Sequence, residues 1–91
     1  MTEDPLAVFI SKAVVVDTDA DIVYIGVLDA LSPGELVLSE ADVHSIPDAG
    51  STREIYVMES AKYGVRSNRR RVHLMRSRVV SISLMEDVLR Y

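Results

Sequence analysis

Ninety-one residues make one small domain with a thin core, and the absence of cysteine excludes disulfides and thiolate chemistry. Hydrophobic residues make up 48% and charged residues 26%, a globular balance that excludes a disordered chain. Ten basic side chains against fourteen acidic ones leave a net charge of −4, a poor balance for general nucleic-acid binding. The longest apolar runs fall far short of the roughly twenty residues a membrane helix needs. The opening MTEDP is acidic and has no apolar core of a leader, so no signal peptide is expected and the composition fits the cytoplasm.

In chain order, Asp4-Pro5 opens a short helix, with Asp4 as N-cap and Pro5 where a missing N–H costs nothing. Leu6, Phe9 and Ile10 form its apolar stripe. Ala13 to Val16, short and β-branched, reads as a strand, and Asp17 to Asp21 as a polar turn. Ile22 to Leu28 is a second strand, whose Gly26 marks a bulge, a sharp bend or a close backbone approach. Ser32-Pro33-Gly34 is a turn in which proline presets φ. Glu35 to Val43 follows as a third strand, with Leu36, Leu38 and either Ala41 or Val43 facing inward.

Ile46 to Gly50 reads as a loop. Ser51 and Glu54 then fit a capping box that starts a helix, with Ile55, Met58 and Ala61 on one face and Gly64 just past its end. The run EIYVM also has strand composition, and the capping box decides for helix. Arg71 to Met75 alternates as a fourth strand with Val72 and Leu74 on one face. Arg76-Ser77-Arg78 is a tight connection, Val79 to Ser83 a fifth strand, and Leu84 to Leu89 a terminal helical turn. Five short strands at close spacing imply a small, strongly bent barrel or a sandwich.

Charge is distributed unevenly. Residues 1–61 carry two basic side chains against twelve acidic ones, whereas residues 62–78 carry seven basic and no acidic ones. Such a block either neutralises phosphates or faces an acidic surface on its own or a neighbouring subunit.

The run from Asp4 to Val43 resembles the first half of the Sm-like proteins. Gly26 and Leu28 match the glycine-containing strand of their first motif, and Leu36, Leu38, Glu40 and Asp42 match the strand that follows. Val72, Leu74, Arg76, Ser77, Val80 and Ile82 match their second motif. The resemblance covers nearly the whole chain except residues 46–68. It implies a mainly β fold in one domain, 1–91: a short N-terminal helix, a five-stranded Sm-like barrel, and a helical insertion at about 46–68 between strands 3 and 4. It also implies a homo-oligomeric ring, in which the fourth strand of one subunit pairs with the fifth of the next and covers its edge. Family members that bind uridine-rich RNA carry an Asp and an Asn in the loop of the first motif. Here that loop is Ser32-Pro33-Gly34-Glu35, one residue shorter, with Glu35 in place of the base-reading Asn, and Ser77 replaces the glycine after Arg76. Half of the usual pocket is missing.

The expected nucleic-acid residues are Arg69, Arg70, Arg71, Arg76, Ser77 and Arg78, contacting single-stranded RNA through phosphate neutralisation with Arg76 near a base. The alternative is a homo-oligomeric scaffold in which the same arginines pair with carboxylates of a neighbouring subunit and the insertion recruits a protein. No metal or cofactor is expected. His44 lies near Asp42 and Asp48 without HxH or HExxH spacing, and His73 sits on the polar face of its strand. Asp17, Asp19 and Asp21 alternate like the start of a calcium loop, but Ile22 and Leu28 stand where its glycine and glutamate belong. The tyrosines suit core or interface positions, with Tyr63 beside the basic block. No nucleophile elbow, GxGxxG or P-loop occurs, so no enzymatic activity is expected.

Overall fold

In a computed structural model that describes residues 3–46 and 52–90, five antiparallel strands form one sheet. They are β1 (Ala13–Thr18), β2 (Ile22–Leu31), β3 (Glu35–Ser45), β4 (Arg69–Met75) and β5 (Val79–Leu84), in the spatial order β4-β3-β2-β1-β5. The edge strands β4 and β5 are joined by only three residues, Arg76–Arg78. A connection that short forces the two edges of the sheet toward each other, so the sheet rolls.

The curvature has local causes. Ile25 pairs with Asp42 and Val27 with Ser39, so β3 carries one more residue than β2 opposite Gly26. The extra residue bends the strand, and Glu40 there adopts a left-handed backbone with φ 47°. A Cβ on Gly26 would lie 3.0 Å from the Ser39 carbonyl oxygen and 3.1 Å from the Ala41 Cα, tighter than most packed Cβ contacts, so the β3 backbone would have to give way slightly. The glycine therefore serves both a bulge and a close approach. The bulge also settles the inward residue of β3: alternation through Leu36 and Leu38 slips by one, and Ala41 rather than Val43 is fully buried. A second shift falls at Asp29 in β2, and a third leaves Val80 unpaired between Ser81 and Val79 where β5 meets β1.

The strands bury residues on both faces. Val14, Val16, Leu28, Leu36, Leu38, Ala41 and Leu74 form the main core, with Phe9, Val72, Val79 and Ile82 packed against it. Val15, Val23 and Ile25 point the other way and are covered by Tyr56, Val57, Val65, Met85 and Val88. Burial on both sides explains why Val14-Val15-Val16 shows no apolar–polar alternation.

Two elements depart from the sequence expectation. The N-terminal segment is a 3-10 turn, Pro5–Phe9, rather than a helix with a stripe at α spacing. At three residues per turn Leu6 and Phe9 share a side and are half-buried, whereas Ile10 is turned outward. Between β3 and β4 lies the helix α1 (Arg53–Tyr63), and its cap is Thr52, whose hydroxyl accepts from the Ile55 N–H at 3.2 Å. Ser51, the expected cap, and most of the loop 46–50 lie outside the described residues. Its packed face also differs: Tyr56 and Val57 meet the sheet and Ser60 is buried, while Ile55 is exposed.

Candidate nucleic-acid interface

Arg76 begins the short connection after β4, and the sheet brings it against the β2–β3 turn. Its backbone N–H donates to the Gly34 carbonyl at 3.0 Å, and its guanidinium donates to the Ser32 carbonyl at 3.1 Å. Residues more than forty positions apart thus form one surface. The guanidinium also holds both oxygens of Asp4, at 2.5 and 2.8 Å, in the two-pronged geometry that favours arginine over lysine. Asp4 simultaneously caps the N-terminal turn by accepting from the Leu6 N–H at 2.9 Å. The hydrogen bond from Arg76 and then that from Leu6 hold the Asp4 carboxyl down at about 2. The same carboxylate pushes the Arg76 guanidinium still higher.

The rest of the basic block does not converge on this point. Arg69, Arg70 and Arg71 open β4, and Arg76, Ser77 and Arg78 follow its far end, about 20 Å away along the strand. Three of the six predicted residues are arginines with partners in the same chain. Arg71 faces Asp29 at 3.6 Å, Arg76 holds Asp4, and Arg78 donates to Asp19 at 2.9 Å. Arg69 and Arg70 make no ion pair among the described residues, and neither does Arg66. Ser77 is exposed. Glu35, which stands where the resemblance leads one to expect an asparagine, faces His73 at 3.2 Å.

A second polar cluster fastens the helix. Asp42 on β3 is nearly buried; one of its oxygens accepts from the Tyr56 hydroxyl, the other from the Asn68 amide at 3.0 Å. The Asn68 side chain also pairs with both backbone groups of Val43 at 3.1 Å. The Tyr56 ring stacks on His44, with centroids 3.8 Å apart and planes within 7°. Burial, and then the hydrogen bond to Asp42, push the Tyr56 phenol well above its ordinary range. Arg53 ties the other end of α1 to the β1–β2 hairpin, donating to the Ala20 carbonyl at 3.2 Å and facing Asp17 at 3.4 Å. His44 and Asp42 are thus each engaged with Tyr56, and Asp48 lies outside the described residues. Among the described residues no three metal-ligating side chains converge, and no helix is long and apolar enough to cross a membrane.

Asp4 as the partner of Arg76 and Asn68 as a clamp escape sequence reasoning. Asp4 carries the signal of an N-cap only, and its partner lies seventy-two residues away. Asn68 is one polar residue in a basic loop, and nothing local shows that it reaches β3.

Two solved structures share this arrangement of strands. A Pyrococcus abyssii Sm protein in complex with a uridine heptamer aligns over 90% of this chain and 99% of its own, with a TM-score of 0.59 and 21% identity. The fold is Sm-like. A chain of the NatC complex bound to CoA aligns over 92% of this chain and 88% of its own, with a TM-score of 0.57 and 21% identity. No family model and no curated protein matches the sequence. In this Sm-like chain the likeness extends over nine-tenths of the residues, and the fold gives the departures noted above their places: Glu35 at the start of β3, Ser77 after β4, and α1 between β3 and β4.

Proposed function

We propose that this chain is an RNA-associated, ring-forming binding module rather than an enzyme, with Arg76 as its central ligand contact. The observation that carries the reading is the apposition of Arg76 with the Ser32-Pro33-Gly34 turn. These are the two segments to which the sequence resemblance assigns RNA contact, and a structural neighbour is an Sm protein in complex with a uridine heptamer. The ring part rests on β4 and β5 being the two edges of the sheet, with Met75 and Val80 exposed along them. With Glu35 in place of an amide and Asp4 on the arginine, affinity is expected to be weaker and base preference different from those of uridine-binding relatives.

A second reading, a protein-interaction module with no nucleic acid, draws on two observations. Arg71, Arg76 and Arg78 are neutralised within the chain. In addition, Ile55, Met58, Val88 and Leu89 line an apolar groove of about 290 Å³ between α1 and the C-terminal turn.

The test is a fluorescence-anisotropy titration with short oligouridylate and oligoadenylate at low and near-physiological salt. Saturable binding that weakens steeply with salt and is lost in an Arg76→Ala, Arg78→Ala double variant is the expected result. No binding at low salt would overturn the RNA reading and leave the second one.

A further inference from the structure

We propose that Lys62, Tyr63, Arg66, Arg69 and Arg70 form a second contact for single-stranded nucleic acid, at the opposite end of β4 from Arg76. The inference rests on the RNA reading above and deepens it: Arg69 and Arg70, expected from the sequence among the RNA contacts, are joined by Lys62, Tyr63 and Arg66 in a contact separate from that of Arg76.

Arg66, Arg69 and Arg70 are exposed and without ion pairs among the described residues, as is Lys62. Among the described residues the Arg69 side chain donates only to the carbonyl of the preceding Asn68, at 3.0 Å. No acidic residue occurs between Glu59 and Glu86. At this end of the sheet Asp42 is spent on Tyr56 and Asn68, and the exposed carboxylates beside the segment are Glu40 on β3 and Glu59, one helical turn before Lys62, neither in an ion pair among the described residues. Arginines at the other end of the strand each have an aspartate; these do not, so their charge is available to phosphates.

Tyr63 supplies the second observation. It is 77% exposed, more than any other large apolar side chain described, at the last position of α1. The Lys62 ammonium lies 5.7 Å from its ring centroid. A lone exposed aromatic needs no explanation, but an aromatic ring beside the Lys62 ammonium, in a segment, 62–70, that also carries three arginines unpaired among the described residues, has the composition a single strand uses: bases stack while phosphates pair. An acidic peptide would need the cations and not the ring.

The segment is also held in place. The Gly64 N–H closes α1 on the Ser60 carbonyl at 2.9 Å, Val65 packs against the Val15–Val23–Ile25 cluster, and Asn68 is clamped to Asp42 and Val43. The Asn68 N–H donates to the Ala41 carbonyl at 2.9 Å, and Arg69 pairs in register with Ala41. Little ordering is therefore left for a ligand to impose.

The test compares labelled short oligouridylate binding to wild type, Tyr63→Ala, Tyr63→Phe, an Arg66→Gln, Arg69→Gln, Arg70→Gln triple variant, and Arg76→Ala. All substituted side chains except Arg76 are exposed, and circular dichroism melts check that folding is kept. Tyr63→Ala is expected to weaken binding about 5- to 100-fold, with Tyr63→Phe near wild type. The triple variant is expected to flatten the slope of log affinity against log salt by about 2. Loss of binding in Arg76→Ala with no effect of Tyr63→Ala or the triple variant would overturn this second contact and leave the RNA reading standing. Failure of wild type to bind would remove both. Competition by polyglutamate that Tyr63→Ala does not alter would assign the surface to acidic proteins and overturn the proposal.

Discussion

The Arg76 guanidinium grips both oxygens of Asp4 at 2.5 and 2.8 Å, so the residue proposed above as the RNA contact already holds an internal carboxylate. Asp4→Asn separates charge from capping, because asparagine is an equally good N-cap. Removing the charge frees Arg76, and RNA affinity at low salt is expected to rise several-fold in anisotropy titrations. Weaker binding would mean that Asp4 orients the arginine rather than masking it.

The same pair sets an acid response. The Asp4 carboxyl is held at about 2, below its unfolded value of roughly 4. A depressed native pKa adds stability that is present above the unfolded value and lost as pH falls toward the native one. Thermal melts of wild type and Asp4→Asn are expected to differ near neutrality and to converge as pH approaches 2.

Gly26 and the β3 bulge face each other across the bend. Gly26→Ala pushes a methyl against backbone atoms of Ser39 and Ala41, which no rotamer change relieves. The expected loss is about 1–3 kcal/mol, as for other overpacked sites, read as a lower melting temperature. Glu40→Gly relieves a left-handed non-glycine residue on the same bulge and is expected to be neutral or mildly stabilising.

That bend was legible in the sequence because glycine in a β-branched run has few other uses; β1 was legible from its β-branched composition, and β3 and β4 because their inward residues alternate. Leu36, Leu38, Val72 and Leu74 sit as alternation places them. The packed face of α1 was not legible. Ile55, Met58 and Ala61 have the right spacing, but the partner of Tyr56 is a carboxylate on β3, and hydrogen-bond geometry outweighed hydropathy. The basic block was visible as composition, whereas its division into neutralised and free arginines depends on Asp4, Asp19 and Asp29, which only the fold brings near.

Tyr56 seats α1 through its hydroxyl and its ring. Tyr56→Phe keeps the stack on His44 but leaves a nearly buried Asp42 oxygen without its donor. A cost of about 1–3 kcal/mol is expected, with faster amide exchange in α1 as the local signature. Because the native phenol titrates above its unfolded value near 10, its contribution is present below that pH and fades as pH rises toward the native value. In a spectrophotometric titration one tyrosine is expected to ionise after the others.

Val80 is 67% exposed beside the shift in the β5–β1 pairing, on an edge strand whose apolar side chains invite another strand. A lysine there keeps the strand but charges its edge, a common way in which sheets block added pairing. If β5 takes β4 of a neighbouring copy, Val80→Lys should lower the mass measured by light scattering toward that of a single 10.1 kDa chain. Its melting temperature should then become independent of protein concentration, since stability borrowed from assembly depends on mass action. An unchanged assembly mass in Val80→Lys would remove β5 from the interface, and a wild type that is already monomeric would remove the ring.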